Sequence, residues 1–213
     1  MKRAGVERGR ALPREVRIIG GQWKRSKLPV ADVPGLRPTP DRVRETLFNW
    51  LGQNLDGWRC LDAFAGTGAL GFEAASRGAA EVVVLERDRR LVRSLVESAQ
   101  RLKATGLRAE CADAIAWMAR TAPASFDLVF LDPPFDSDLA PPAIAAAARI
   151  VTADGWIYVE QPRPLNAEAG LPTGFGVVRH GRAGAVHFHL LRRSTGRPDS
   201  GPAAAPPPDG ATG

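Results

Sequence analysis

The sequence predicts an α/β fold with a mostly parallel central sheet, because short apolar runs alternate with helical patterns from residue 58 onward. Strands joined in this way through helices form right-handed crossovers. The last apolar stretch, residues 176–193, instead alternates Val186, Phe188 and Leu190 and turns near residues 181–184, which is typical of a β-hairpin. We therefore expect an antiparallel C-terminal hairpin at the edge of the parallel sheet.

A helix precedes the alternating region. Thr39 is a good N-cap and Pro40 suits the first helical position, so a helix is predicted over about residues 40–51. Its apolar face carries residues such as Val43 and Leu47, and we expect Arg44 on the opposite, solvated face. Five further strands are predicted, at residues 59–65, 81–86, 108–111, 126–131 and 155–160. Four further helices are predicted: one that follows the glycine-rich stretch and ends near Arg77, and three over residues 91–102, 114–120 and 138–151.

Composition predicts one globular domain with appendages, since 213 residues are 44% hydrophobic and 24% charged. No apolar run approaches the roughly 20 residues of a membrane helix, and the N-terminus lacks the apolar part of a signal peptide. We therefore expect a cytoplasmic protein without a membrane partner. Cys60 and Cys111 lack metal-ligand spacing and are interpreted as reduced core residues, so no metal site is predicted.

Basic residues are concentrated near the N-terminus. Residues 1–30 carry nine Lys or Arg and a local charge of +7, whereas the remainder carries −1. Such a concentration favours binding to RNA or DNA phosphates, although a solvated arm has the same composition.

We predict a disordered arm over residues 1–14, a small basic hairpin over 15–35 and a disordered Pro/Ala/Gly tail over 194–213. The candidate RNA-binding residues are Arg14, Arg17, Trp23, Lys24, Arg25 and Lys27, with closure of a small hydrophobic cluster as the alternative for Trp23.

The predicted strand at residues 126–131 ends in Asp132, Pro133, Pro134 and Phe135. Carboxyl ends of strands are where ligands bind in open α/β sheets, so Asp132 is a candidate site residue. Its carboxylate and the stiffly held Pro133 carbonyl offer two acceptors for an exocyclic amine, and Phe135 offers a face for base stacking. The alternative is a strand end followed by a tight turn.

A glycine-rich loop follows the strand at 59–65. Gly66, Gly68 and Gly71 with Glu86 match a dinucleotide-binding fingerprint, which makes a nicotinamide-linked oxidoreductase an alternative. Asp62 argues against it, because a carboxylate just before the loop would repel a pyrophosphate.

Acidic residues end four successive predicted strands: Asp62, Glu86, Asp113 and Asp132. A rim of acceptors suits S-adenosylmethionine, whose ammonium, ribose hydroxyls and adenine amine are all donors. Any single one of these acids has the alternative role of a helix cap.

Two sets of motifs resemble known families. The stretch from Asp62 to Gly68, Glu86, residues 113–114 and residues 132–135 resemble class I S-adenosylmethionine-dependent methyltransferases that modify amines. Residues 17–24, 36–39 and 41–50 resemble bacterial 16S ribosomal RNA guanine-N2 methyltransferases of the RsmD type. This resemblance covers about residues 16–193 and implies a Rossmann-like class I methyltransferase domain over residues 36–193.

The resemblance also implies roles for individual residues. Asp132, Pro133 and Phe135 would take the target guanine and catalyse methylation of its N2 amine in 16S rRNA, within a small-subunit ribosomal particle. S-adenosylmethionine would be bound by Arg37, Thr39, Asp62, Phe64, Ala65, Gly66, Gly68, Glu86, Arg87, Asp113 and Ala114. An adenine-N6 methyltransferase of DNA or RNA is one alternative, and a non-catalytic nucleic-acid-binding factor on the same fold is another.

Overall fold

The computed structural model describes residues 15–31, 33, 38–165 and 171–194. The predicted arm, residues 1–14, and the predicted tail beyond Ser194 lie outside these ranges. The strands are β1 (Glu15–Arg17), β2 (Lys27–Pro29), β3 (Arg59–Asp62), β4 (Glu81–Glu86), β5 (Leu107–Cys111), β6 (Phe126–Leu131), β7 (Val151–Gln161), β8 (Phe175–Ala183) and β9 (Val186–Arg193). The helices are α1 (Asp41–Leu51), α2 (Ala69–Ser76), α3 (Arg89–Leu102), α4 (Ala114–Arg120) and α5 (Ala140–Ile150).

The central sheet confirms the predicted α/β class. In the described part of the chain it has seven strands in the order β5-β4-β3-β6-β7-β9-β8. Strands β3 to β7 are parallel to one another. Strand β9 is antiparallel to both of its neighbours, β7 and β8. The chain builds outward from β3 to β5 and then returns to place β6 on the other side of β3. Such a reversal leaves a crevice at the carboxyl ends of the strands, where ligands bind in open α/β sheets.

Two hydrophobic cores lie on opposite faces of the sheet. Helices α1, α2 and α3 cover one face, with Leu128 and Phe130 of β6 projecting toward them. Helices α4 and α5 cover the other face, toward which Val129 and Leu131 project. Because side chains alternate along a strand, the period of two in β6 assigns each of its residues to one core.

The small N-terminal hairpin of β1 and β2 docks on the last turn of α2. The Ser76 hydroxyl donates to the Gly20 carbonyl at 2.6 Å and accepts from the Trp23 amide at 2.9 Å. Ile18 and Leu28 are buried in the core under α1 to α3. The basic hairpin tip therefore lies at the C-terminal end of α2, opposite the glycine loop that precedes this helix.

A buried ionic network joins α1, α2 and the hairpin. Glu73 is fully buried and accepts from Arg44, from Arg77 and from the backbone amide of Ile19. The Arg77 guanidinium also lies 4.5 Å from the centre of the Phe48 ring. The expectation of a solvated Arg44 was wrong, because this side chain has 0% exposure.

Three smaller expectations were corrected. Helix α1 begins at Asp41 with Pro40 at the cap position, so Thr39 does not cap it. Strand β7 begins at Val151, four residues earlier than Gly155, where the sequence placed its start. Cys60 is buried as predicted, but Cys111 is exposed because it lies at the end of β5, beyond the core. Within the described ranges, no helix has the length and apolarity to cross a membrane.

Candidate active site

Three acidic residues lie at the carboxyl ends of adjacent strands. Asp62 ends β3, Asp132 directly follows β6, and Glu160 is the penultimate residue of β7. Leu131 pairs with Val159, so Asp132 and Glu160 are the next residues along two parallel neighbours. The sequence-based set included Asp62 and Asp132 but missed Glu160. The signal was present, since Glu160 also ends a predicted strand.

Asp62 is held by the glycine loop it precedes. Its Oδ2 accepts from the Gly71 amide at 2.9 Å, and the residue is only 1% exposed. Burial raises the pKa of Asp62 to about 7, with the Gly71 and Phe64 amides opposing that rise and Glu86 and Glu160 adding to it. A cation beside this carboxyl group would favour its ionised form, so the site is suited to a positively charged ligand.

The glycine loop is compact and its backbone is partly engaged. Gly66 and Gly68 both have positive φ angles, 53° and 78°, which an L side chain rarely adopts. The Gly68 amide donates to the Ala65 carbonyl at 2.7 Å, and the Ala65 amide donates to Leu85 at 2.9 Å. This arrangement ties the loop to the end of β4, where Glu86 lies.

Glu86 binds the glycine loop through one carboxylate oxygen and the segment after β4 through the other. Its Oε2 accepts from the Gly66 amide at 3.0 Å, and its Oε1 accepts from the amides of Arg87 and Asp88 at 2.7 and 2.9 Å. Carboxylate oxygens have further lone pairs, so Glu86 retains capacity to accept from ligand hydroxyls.

Asp113 performs the helix-capping role that the sequence left as an alternative. Its Oδ1 accepts from the Ala116 amide at 2.9 Å at the start of α4. Its Oδ2 lies 3.9 Å from Nε of Arg87, and both side chains are substantially exposed. Ala114 is buried beneath them. The second oxygen of Asp113 thus remains near the rim while the first holds the helix.

Asp132 is turned toward Thr39 and Glu160. Burial raises the pKa of Asp132 well above its usual range, the charges of Glu160 and Asp62 raise it further, and a hydrogen bond from the Thr39 side chain opposes the rise. Burial likewise raises the pKa of Glu160, against hydrogen bonds from Tyr158 and Thr39 and the charge of Arg44. The Tyr158 hydroxyl donates to Glu160 at 2.9 Å. Thr39, which is 6% exposed, therefore lies next to the strand-end carboxyl groups, and its single hydroxyl proton can be donated to one of them at a time.

A cavity of about 380 Å³ opens beside this row. Pro133 and Phe135 border it, as do Glu160 and Leu165 from the segment after β7. Phe135 is 40% exposed, whereas Pro133 is buried. The exposed ring of Phe135 and the conformationally restricted Pro133–Pro134 segment form one side of the cavity.

The basic candidates lie on the hairpin and are not gathered around the strand-end acids. Lys24 and Arg25 are exposed at the tip, while Arg17 pairs with Asp41 at 3.1 Å and Lys27 pairs with Glu15 at 2.6 Å. Trp23 is half-buried and packs against the core, which is the alternative the sequence left open for it. Arg14 and Arg37, which were also predicted as binding residues, lie outside the described ranges.

A family model described as "Conserved hypothetical protein 95" matches residues 16–192. The chain belongs to this family. Ribosomal RNA small subunit methyltransferase D of Escherichia coli (strain K12) is 43% identical over 188 residues, covering 84% of this chain and 90% of that protein. The protein of the same name from Haemophilus influenzae is 41% identical over 189 residues, covering 84% of this chain and 94% of its own length. A solved structure of a putative methyltransferase from Escherichia coli has a TM-score of 0.73 at 42% identity, covering 84% of this chain and 98% of its own.

Members of this Conserved hypothetical protein 95 family include proteins named as methyltransferases, which confirms the resemblance drawn from the motifs. The chain is therefore a methyltransferase, and its family's chemistry requires a methyl donor. The fold is also confirmed by the solved structures of two proteins titled putative methyltransferase or methylase, which match this chain with TM-scores of 0.73 and 0.69.

Proposed function

We propose that this chain transfers a methyl group from S-adenosylmethionine to the exocyclic N2 amine of a guanine in 16S ribosomal RNA. The observation that carries the proposal is Asp132 at the end of β6, followed by Pro133 and the exposed ring of Phe135 at the edge of a cavity. This arrangement occurs in a chain that is 43% identical to a protein named ribosomal RNA small subunit methyltransferase D.

The strand-end acceptors support S-adenosylmethionine as the methyl donor. Asp62, with a pKa raised to about 7 by burial, would be stabilised as a carboxylate by an ammonium group. Glu86 would accept from ribose hydroxyls and Asp113 from the adenine amine. Phe64, Ala65, Gly66 and Gly68 provide the adjoining loop, and Arg37, Thr39, Arg87 and Ala114 complete the proposed set. The cofactor supplies an electrophilic methyl group, and these residues hold and orient it.

The target amine would be held by two acceptors. Asp132, whose carboxyl group can accept a hydrogen bond in either protonation state, and the Pro133 carbonyl would each accept one N–H, and Phe135 would stack on the base. The lone pair of this amine is delocalised into the ring, so a more pyramidal nitrogen directed by two hydrogen bonds is a better nucleophile. We assign most of the acceleration to positioning of two bound reactants. Methyl transfer would form a C–N bond at the amine as the S–C bond of the sulfonium breaks, and the methylated nitrogen would then release one proton, which Asp132 would accept.

The hairpin supports binding to the RNA phosphates. Arg17, Lys24, Arg25 and Lys27 are exposed, and we propose that Arg14 and Trp23 act with them. This surface and the glycine loop lie at opposite ends of helix α2. The helix has 8 residues and is therefore about 12 Å long at the α-helical rise. An RNA that reaches both must extend along the protein surface, which favours a structured substrate. We therefore propose a small-subunit ribosomal particle as the partner and the cytoplasm as the location.

The test offers labelled S-adenosylmethionine with unmodified 16S RNA, free and assembled with proteins, and maps the product by mass spectrometry. We expect N2-methylguanine at one position, more of it in the protein-assembled RNA than in free RNA, and loss of transfer with Asp132→Ala while calorimetric cofactor binding stays near wild type. Methylation of adenine or of DNA would overturn the substrate assignment. Failure to bind S-adenosylmethionine would indicate a non-catalytic RNA-binding factor.

A further inference from the structure

The cavity beside Phe135 has a second wall that is held from behind by the edge hairpin. Residues 160–165 form this wall, facing Pro133 and Phe135. The backbone amide of Leu165 donates to Nε2 of His189 on β9 at 3.0 Å. A side chain of the outer hairpin thus contacts a segment that borders the proposed target site.

The segment depends on few hydrogen bonds. It begins where β7 ends at Gln161, and Pro162 and Pro164 have no backbone N–H to donate. The Gln161 side chain donates to the Arg163 carbonyl at 2.7 Å, a bond within the segment. Among the residues that the structure describes, the Leu165–His189 bond is the one hydrogen bond that ties residues 162–165 to another strand.

His189 is built as a rigid acceptor. It is 0% exposed, and its ring stacks on His180 with centroids 4.6 Å apart and planes 11° from parallel. His180 is in turn hydrogen-bonded to His187 at 2.9 Å. Burial lowers the pKa of His189 to about 4, so the ring is neutral at neutral pH and Nε2 is free to accept. Its Nδ1 is buried and has no partner within the described ranges.

We propose that His189 is a positioning residue for the target nucleotide: by accepting from the Leu165 amide, it fixes the cavity wall against which the base is held opposite Phe135. The residue does not touch the reacting atoms and acts through Leu165. This inference rests on the proposed function, since it assigns the base to this cavity. It goes further in giving the C-terminal edge hairpin an indirect part in positioning the nucleotide.

The test compares steady-state kinetics of His189→Leu, His189→Gln and His187→Leu with RNA as the varied substrate. We expect His189→Leu to raise KM for RNA about 10-fold, as for loss of one buried hydrogen bond, with the dissociation constant of S-adenosylmethionine unchanged. His189→Gln retains a side-chain acceptor and should recover most of the loss. His187→Leu alters the same histidine stack without contacting Leu165 and should leave KM near wild type.

Hydrogen exchange gives a readout that needs no methylation. The Leu165 amide should exchange slowly in wild type and His187→Leu and about 10-fold faster in His189→Leu. Unchanged exchange of the Leu165 amide in His189→Leu would show that His189 does not hold this amide. Faster exchange with unchanged KM would overturn the positioning role. If His189→Leu does not fold, His189→Gln decides: Leu165 exchange and KM both near wild type would support the acceptor role, whereas faster Leu165 exchange with an unchanged KM would overturn positioning. Wild-type protein that leaves RNA unmodified would instead refute the proposed function. The hydrogen bond between Leu165 and His189 would still be tested, because hydrogen exchange measures it without methylation.

Discussion

Arg44 Nη1 lies 3.3 Å from Glu73 Oε2, and neither side chain has any exposed surface. Glu73 also pairs with Arg77 at 2.8 Å, and Arg44 has a second carboxylate partner in Asp41 at 2.6 Å. Removing the Glu73 charge would leave the largely buried Arg77 without its carboxylate partner and Arg44 with Asp41 alone. We expect Glu73→Gln to lower the free energy of unfolding by about 3–5 kcal/mol, measured by urea denaturation.

The control for this prediction is an exposed ion pair. Asp154 pairs with Arg192 at 3.0 Å, but its side chain is 86% exposed. Asp154→Asn should therefore change the free energy of unfolding by no more than about 1 kcal/mol. Equal effects of the two substitutions would contradict a structural role for the buried network.

The turn at Gly68 requires glycine for two reasons. Its φ is +78°, and an added Cβ would lie 2.5 Å from Leu95 Cδ2 and 2.8 Å from Phe72 Cδ2. We expect Gly68→Ala to lower the free energy of unfolding by more than about 2 kcal/mol and to weaken binding of S-adenosylmethionine. Denaturation and calorimetry measure the two effects.

Gly184 is the control that separates the cost of a positive φ from the cost of a steric clash. It also has a positive φ, +63°, but an added Cβ would meet nothing within 4 Å. Gly184→Ala should cost only about 1 kcal/mol, with cofactor affinity unchanged. A Gly68→Ala protein as stable as Gly184→Ala would show that the loop relaxes without cost.

Asp62 makes stability depend on pH. Its pKa is raised by burial from 3.8 to about 7, so the folded state binds this proton more tightly than the unfolded state does. The contribution of Asp62 to stability is therefore largest at low pH and is lost as pH rises from about 4 through about 7. The wild-type melting temperature should fall relative to Asp62→Asn across this window, measured by circular dichroism at pH 5 and pH 8. Parallel curves would show that Asp62 is ionised throughout.

Ser76 holds the basic hairpin on α2. Replacing it with Ala removes the donor to Gly20 and the acceptor for the Trp23 amide. We expect faster hydrogen exchange at the Trp23 amide and weaker binding to RNA, because the exposed cations lose their fixed arrangement. Binding of S-adenosylmethionine should not change, since the glycine loop that we propose as its binding site lies at the other end of α2. Unaltered RNA affinity with a released amide would show that the hairpin binds RNA without being docked.

The two cysteines should differ in reactivity. Cys111 is exposed, whereas Cys60 is buried and burial raises the pKa of its thiol. Native protein should take one iodoacetamide label, on Cys111, and a second only in denaturant, as read by mass spectrometry. Native Cys111→Ser should take none. Labelling of native Cys60 would indicate that the sheet opens under native conditions.

The sequence predicted the architecture well because the fold depends on local periodicities. Apolar runs of four to six residues and the alternating pattern of Val186, Phe188 and Leu190 were enough to identify parallel strands and an antiparallel hairpin. The acidic strand ends also followed from sequence, since an Asp directly after a buried strand lies at the sheet's carboxyl edge. The roles assigned to these residues remain proposals.

The tertiary structure decided which polar residues are buried together. A helical pattern placed Arg44 on a solvated face, because periodicity cannot show that α2 and the hairpin will cover that face with Glu73 and Ile19. The sequence predicts Thr39 as a helix cap, but Pro40 takes the cap position and Thr39 lies beside Asp132 and Glu160. Contacts of this kind join residues about 30 to 120 positions apart, and local sequence does not encode such pairings.

The sequence by itself thus determined the order of elements, the glycine loop and the acidic strand ends of this methyltransferase. Only the tertiary structure placed Glu160 beside Asp132 and connected His189 to Leu165. The physical reason is that strand order and register are set by long-range packing, which brings side chains from distant strands to one edge of the sheet.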